Sequence, residues 1–115
     1  GELTEFLRRA AARFDLIASA DTLVYFGDLR PVLHAARDAL RPNGVLTFTV
    51  ERWEEATGQG FRLHSWGRYS HAEEYLRAEL AEAGLGLCRL HGADLRMELG
   101  QPVAGWVVTA RRSGD

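Results

Sequence analysis

The stretch FDLIASADTLVYFGDL, residues 14–29, decides the fold of this chain. Its first six residues are a short, mostly apolar run of the kind that forms a buried strand, and an Ala-Asp pair follows them. Aromatic residues come next, and then Asp28, a residue type that commonly begins a helix. A buried strand that leads into a helix is the repeating unit of parallel α/β sheets. Such sheets bind ligands beyond the carboxyl ends of their strands, so the acid and the aromatics are candidate ligand contacts.

Three segments repeat their apolar residues with a helical period. The first covers residues 2–13. The second begins at Asp28 and ends near Leu40, where the sequence RPNG stops it. The third covers residues 71–83, and the sequence SHAEE, residues 70–74, offers a capping box at its start. The sequence therefore predicts three helices.

The remaining apolar segments predict strands, which makes the chain an α/β protein. Residues 14–19 and 44–51 are short and largely uncharged, which predicts two parallel strands, with helices alternating on the two faces of the sheet. A long antiparallel hairpin, kinked near Gly92, follows the third helix. Its alternating segments are residues 85–90, 94–99 and 103–111. The stretch 52–71 lacks a pattern and predicts a long functional loop.

The composition is that of one ordinary globular domain. The chain has 115 residues, of which 46% are hydrophobic and 26% charged, and its net charge is −2. This balance lacks the positive charge of nucleic-acid-binding proteins, and no apolar run approaches the roughly 20 residues of a membrane span. The single cysteine, Cys88, forms no internal disulfide and fits a small buried hydrophobe. We expect a cytoplasmic location and no nucleic-acid or membrane partner.

Four segments, taken in order, resemble the second half of the class I S-adenosylmethionine-dependent methyltransferases. They are FDLIASADTLVYFGDL, LHAARDALRPNGVLTFTVE, GRYSHAEEYLRAELAEAGL and GWVVTARR. The similarity covers about residues 2–112 and is greatest to the bacterial group often fused behind tetratricopeptide repeats. It implies a partial Rossmann-like sheet, in which residues 14–19 are the fourth strand of the family and the hairpin supplies the sixth and seventh.

The glycine-rich loop that holds the cofactor in this family has no counterpart in these 115 residues. No G-x-G-x-G lies between a strand and a helix. We therefore expect the chain to be the carboxyl-terminal half of one methyltransferase domain, with the cofactor-binding half upstream of Gly1. We expect the 115 residues alone to be inactive and to bind S-adenosylmethionine negligibly.

The resemblance implies five contacts with S-adenosylmethionine. Ser19, Ala20 and Asp21 correspond to the loop beside the methionine part of the cofactor, and Glu2 to an acid near its adenine amino group. Tyr25, together with Phe26, would cover the methyl donor, because an aromatic ring attracts a sulfonium. Each residue type also has a simpler interpretation: Asp21 in a turn, Tyr25 in the core, and Glu2 at a helix start.

The segment HSWGRYSH, residues 64–71, combines polar and aromatic side chains, and GRYSH resembles a local signature of the subgroup. His64, Tyr69 and His71 are candidate catalytic residues, with one histidine as general base. Arg68 is a candidate for holding an acidic substrate. The alternative is that these residues build the start of the third helix. The spacing of the two histidines matches no zinc pattern, so we expect no metal site.

The sequence therefore predicts part of an enzyme that transfers a methyl group to an acceptor that the sequence does not identify, largely by aligning donor and acceptor. The alternative is a non-catalytic interaction module derived from the same fold. Because half of the sheet would be missing, the outer edge of residues 14–19 would be bare. This predicts a homodimer, by pairing of that edge or by exchange of the first helix and strand, which Ile17→Lys would weaken.

Overall fold

The computed structural model describes residues 2–10, 12–20, 23–53, 60–64 and 67–114. Helices and strands alternate in the first half of these residues, and a long hairpin closes the chain. The elements are α1 (Glu2–Arg8), β1 (Phe14–Ser19), a 3₁₀ turn (Leu23–Tyr25), α2 (Arg30–Ala39), β2 (Leu40–Arg52), β3 (Phe61–Leu63), β4 (Tyr69–His71), α3 (Glu73–Glu82), β5 (Leu85–Glu98) and β6 (Gln101–Arg112).

The described strands form one sheet built around β2. β1 runs parallel to β2, with Ser19 opposite Phe48, and β6 runs antiparallel along the other edge of β2. β6 pairs in turn with β5, and β4 pairs with the end of β2 at Glu51. Because β6 occupies one edge of β2, β1 and β4 follow each other along the opposite edge. The predicted parallel pair and the antiparallel hairpin are confirmed.

All three helices pack against one face of the sheet, so the prediction that helices alternate on the two faces was wrong. Side chains in a strand alternate between faces. One core cluster unites the three helices with one face of β2, for example Leu7, Leu33, Leu76, Phe48 and Val50. The intervening β2 side chains Thr47 and Thr49 are only half-buried. The chain advances across the sheet in one direction, and right-handed crossovers that do so leave their helices on the same face.

The helix boundaries differ in part from the sequence prediction. α1 ends at Arg8 rather than near residue 13. α3 begins at Glu73 with no side-chain hydrogen bond at its N-cap, so the predicted capping box was wrong, and Ser70 lies in β4 instead. At the start of α2, Asp28 does accept the backbone N–H of Arg30, at 3.0 Å. This bond satisfies one of the unpaired N–H groups that every helix start presents.

The stretch that the sequence predicted as a loop contains two short strands. β3 and β4 form a hairpin in which Arg62 lies opposite Ser70. The N–H of His64 donates to the carbonyl of Arg68 at 2.9 Å and closes the turn. The prediction of a patternless loop over 52–71 was therefore wrong, because three-residue strands are too short to show the alternation on which it relied.

β5 and β6 form a hairpin of 14 and 12 residues. The chain turns at Leu99 and Gly100, whose φ angles of 51° and 78° are both positive, as a two-residue hairpin turn requires. Gly92 pairs in register with Trp106, and the ladder shifts register on either side of it, so no irregularity falls at Gly92 itself. Cys88 lies in one of these shifts and is exposed, so the prediction of a buried cysteine was wrong.

Candidate functional site

Two cavities lie at the carboxyl ends of the parallel strands β1 and β2. Ser19, the last residue of β1, lines the first cavity, and Glu51 and Arg52, the last residues of β2, line the second. Ligands of α/β sheets bind at this edge. The cavity volumes are about 340 and 500 Å³, within the range of small-molecule sites.

The first cavity lies between the end of β1 and the helices α1 and α2. Two predicted cofactor contacts, Ser19 and Ala20, line it. The rest of the lining, among the residues that the structure describes, is apolar and includes Leu3, Leu7, Leu23, Val32 and Leu33. The cavity therefore suits an apolar part of a ligand.

The other predicted cofactor contacts lie elsewhere or outside the described residues. Tyr25 lies on the 3₁₀ turn with 62% of its surface exposed, and it is not part of the lining of the first cavity. This exposure excludes core packing for Tyr25, whereas Phe26 packs against the core. Asp21 lies outside the described residues, and so does the side chain of Glu2, whose backbone begins α1.

The second cavity is lined by polar and by apolar side chains. The polar lining comes from β2, the β3–β4 hairpin and the end of β5: Glu51, Arg52, His64, Arg68, Ser70 and Glu98. The apolar lining comes from the β5–β6 turn and the start of β6: Leu99, Pro102, Val103 and Ala104. A ligand in this cavity would meet both hydrogen-bonding groups and an apolar surface.

An ion-pair network lies in the polar lining. The Nε of Arg68 donates to Oε2 of Glu51 at 2.6 Å, and its Nη2 donates to both carboxylate oxygens of Glu98 at 2.7 Å. Arg96 donates to the same Oε2 of Glu51 at 2.7 Å. The hydrogen bonds to Glu51 and Glu98 raise the pKa of Arg68, and the bond from Arg68 lowers the pKa of Glu98. Arg68 and Glu98 are therefore both charged at neutral pH.

Sequence reasoning found one member of this network, Arg68, and missed Glu51, Arg96 and Glu98. The sequence did carry a signal for Glu51, because it is a charged residue at the end of an apolar strand. In the structure only 5% of its surface is exposed, which is rare for a charged residue. The two others lie on a strand that pairs with β6, so no local pattern connects them to Arg68.

His64 lies beside the network and is half-buried. Its Nε2 lies 2.8 Å from Oγ of Ser70. Burial lowers the pKa of His64, and the positive charges of Arg62 and Arg68 lower it further. The imidazole is therefore neutral at pH 7 and able to accept a proton.

Neither of the other two predicted catalytic residues is in the described lining of the two cavities. His71 is fully buried, and its Nε2 lies 2.8 Å from the carbonyl oxygen of Phe26 and 3.1 Å from that of Gly27. Because both partners are acceptors, Nε2 carries the proton, and burial lowers the pKa of His71 to about 4. Tyr69 packs its ring edge-on against Phe61, with 5.8 Å between the ring centres. Both residues thus make packing and hydrogen-bond contacts inside the protein.

Within the described ranges, no three histidine, cysteine, aspartate or glutamate side chains are grouped so as to hold a metal ion. None of the described helices is long and apolar enough to cross a membrane.

Comparison with solved structures identifies the fold. An S-adenosylmethionine-dependent methyltransferase from Methanosarcina mazei superposes with a TM-score of 0.70 at 14% identity, over 91% of this chain and 62% of its own. A methyltransferase of the same kind from Mesorhizobium loti gives 0.67 at 20% identity, over 89% and 64%. The [4+2]-cyclase SpnF gives 0.73 at 15% identity, over 91% and 52%.

The sequence matches no family model and no curated protein. This chain spans about half to just under two-thirds of the length of the three structures compared. One of them is a cyclase, so the likeness shows a fold and not a reaction. The topology of the sheet and these superpositions together show that the chain has the Rossmann-like fold of the class I S-adenosylmethionine-dependent methyltransferases.

Proposed function

We propose that this chain is the acceptor-binding part of an S-adenosylmethionine-dependent methyltransferase. The observation that carries the proposal is the pair of cavities at the carboxyl ends of β1 and β2, one apolar and one with charged groups. A methyltransferase needs two adjoining sites, one for the cofactor and one for the acceptor. Parallel α/β sheets offer both at this edge.

The first cavity fits one side of the cofactor. Its described lining is apolar apart from Ser19 at the end of β1, which suits the apolar parts of S-adenosylmethionine. We assign Ser19, Ala20 and Asp21 to the wall beside the methionine part, Glu2 to the adenine end, and the exposed ring of Tyr25 to a cover over the methyl donor. The glycine-rich loop that would hold the opposite side is not in the sequence.

The second cavity would hold the acceptor. When bound, S-adenosylmethionine supplies a sulfonium methyl group, which the lone pair of the acceptor takes as the carbon–sulfur bond breaks. Arg68 is held by two glutamates and orients the acceptor, so that the reacting atoms are aligned. His64, which is neutral at pH 7, accepts the proton that the acceptor loses.

The remaining part of the cofactor site belongs, in this proposal, to an amino-terminal half of the same domain. The 115 residues alone would then bind S-adenosylmethionine negligibly. Titration calorimetry tests this with two proteins, the chain alone and the chain joined to the sequence that precedes it in its gene. We expect binding and methyl transfer only with the longer protein. A longer protein that also fails to bind S-adenosylmethionine would overturn the proposed function.

A second candidate function is a non-catalytic interaction module. The observation that favours it is the uncovered face of the sheet, where the side chain of Leu16 in β1 is 59% exposed. The same calorimetry separates the two functions, because an interaction module needs no affinity for S-adenosylmethionine.

A further inference from the structure

Arg68 and Glu51 each have one hydrogen-bonding atom that makes no bond to the residues that the structure describes. Arg68 donates from Nε and Nη2, while its Nη1 makes no hydrogen bond to any residue that the structure describes. Glu51 accepts both of its hydrogen bonds on Oε2, and its Oε1 accepts none within the described ranges. One donor and one acceptor, on two groups that touch each other, are thus left on the wall of the cavity.

We propose that Arg68 and Glu51 bind the amide edge of an uncharged heterocycle, in which a ring N–H stands beside a ring carbonyl. This inference rests on the proposed function and names its acceptor class. The carbonyl would accept from Nη1 of Arg68, and the N–H would donate to Oε1 of Glu51. A carboxylate ligand would lack the donor that Glu51 needs, and an ammonium ligand would lack the acceptor that Arg68 needs.

The charge of the network favours an uncharged ligand. Arg68 and Arg96 balance Glu51 and Glu98, so a charged ligand would add an uncompensated charge to a partly buried wall. Arg52, another charged residue of the described lining, lies over the ring of Trp106, with 5.0 Å between its Cζ and the ring centre.

The apolar part of the lining favours a ring. Leu99, Pro102, Val103 and Ala104 present an apolar surface in the same cavity as the charged groups. A flat heterocycle places an apolar face against such a surface while its edge makes the two polar contacts. The volume of about 500 Å³ accepts a ligand of one or two rings.

Ligand-observed NMR with the 115-residue chain tests the proposal without S-adenosylmethionine. The probes are uracil, 1,3-dimethyluracil, benzoate and benzylamine, which differ in edge chemistry at similar size. We expect uracil to bind about tenfold more tightly than 1,3-dimethyluracil, because the two methyl groups remove the N–H donors. Benzoate and benzylamine should bind more weakly than uracil. Tighter binding of either charged probe, or no binding of uracil at millimolar concentration, would overturn the proposal.

A matched pair of variants locates the site. Arg68→Lys keeps the positive charge but removes Nη1, and should weaken uracil binding about tenfold. Arg62→Lys makes the same change at an exposed residue of β3 outside the cavity lining, and should leave the affinity unchanged. Equal affinities for the two variants would overturn the assignment to Arg68. If the chain binds uracil but the longer protein does not bind S-adenosylmethionine, the heterocycle site is supported and the proposed methyltransferase function is overturned.

Discussion

The imidazole Nε2 of His71 lies 2.8 Å from the carbonyl oxygen of Phe26, 45 residues earlier in the chain. This hydrogen bond ties β4, on the second cavity, to the segment that follows β1 and the first cavity. The carbonyl of His71 in turn accepts the N–H of Trp53 at 2.9 Å and Nε1–H of Trp106 at 3.2 Å. His71 thus connects three segments of the chain around the candidate site, although it is not in the described lining of either cavity.

The buried state of His71 predicts a loss of stability in acid. Its pKa is about 4 in the folded protein and about 6.5 in the unfolded chain. Between these values the unfolded state holds more protons, so the free energy of unfolding should fall as pH is lowered from 6.5 to 4, by about 3 kcal/mol. Urea titrations across this range measure the slope.

The variant His71→Gln should remove most of that pH dependence. His64→Gln is the variant for comparison. The pKa of His64 is also lowered, so His64 contributes to the dependence of the unfolding free energy on pH with the same sign. If His71→Gln keeps the slope of the unsubstituted chain, another group controls the acid response.

Gly27 has no room for a side chain. A Cβ at this position would lie 2.5 Å from Cε1 of Tyr69 and 2.7 Å from Cε1 of Phe61. We expect Gly27→Ala to lower the free energy of unfolding by about 1 to 3 kcal/mol, because the packed rings must shift. Gly86→Ala is the matched control, since its Cβ would find its nearest neighbour at 3.7 Å. Equal stabilities of the two variants would show that the rings move freely.

Glu51 should stabilise the fold as well as line the cavity. Its side chain is only 7% exposed and accepts hydrogen bonds from Arg68 and Arg96. Glu51→Ala leaves both guanidinium groups without this partner and should cost about 2 to 4 kcal/mol of unfolding free energy. Glu73→Ala breaks an exposed pair with Arg77 and should cost less than about 0.5 kcal/mol. Denaturant titration compares them, and a similar small loss for both would mean that the network contributes little.

Local sequence patterns predicted the elements whose boundaries depend on nearby residues. The strand at residues 14–19 has the predicted bounds because a short apolar run ends at a polar turn. Helix α2 ends one residue before its predicted end at Leu40, just ahead of Arg-Pro-Asn-Gly. The hairpin followed from alternation on both of its strands. These features need no knowledge of the rest of the chain.

Features that depend on distant residues could not be predicted in this way. The placement of all helices on one face follows from the direction in which the chain crosses the sheet, which no local window contains. Arg68 was recognised as a candidate substrate contact, yet its partner Glu98 lies 30 residues away and pairs with it only through the sheet. His71 looked catalytic by residue type, whereas its burial against the carbonyl of Phe26 depends on long-range packing.

The outer edge of β1 leads to the last prediction, which concerns assembly. β1 pairs with β2 along one edge, and no other strand of the described residues pairs with β1. A bare edge presents unpaired N–H and C=O groups that can pair with another strand, and the apolar side chains of Leu16 and Phe6 beside it are each 59% exposed. We expect the 115-residue chain to dimerise through this edge at high concentration, as light scattering would detect. Ile17 packs against the core, so a lysine there would test folding rather than assembly.

Leu16→Lys separates an effect on assembly from an effect on folding. Leu16 points away from the helices, and a charge on an edge strand opposes pairing with another strand. The variant should give a monomer at concentrations where the unsubstituted chain is a dimer. Leu63→Lys adds the same charge at a leucine that is 56% exposed on β3, and should leave the dimer intact. In the longer protein of the proposed function, an amino-terminal half would occupy the same edge, so that protein should be monomeric. A monomeric 115-residue chain, or a dimer that both lysine variants weaken equally, would rule out assembly through β1.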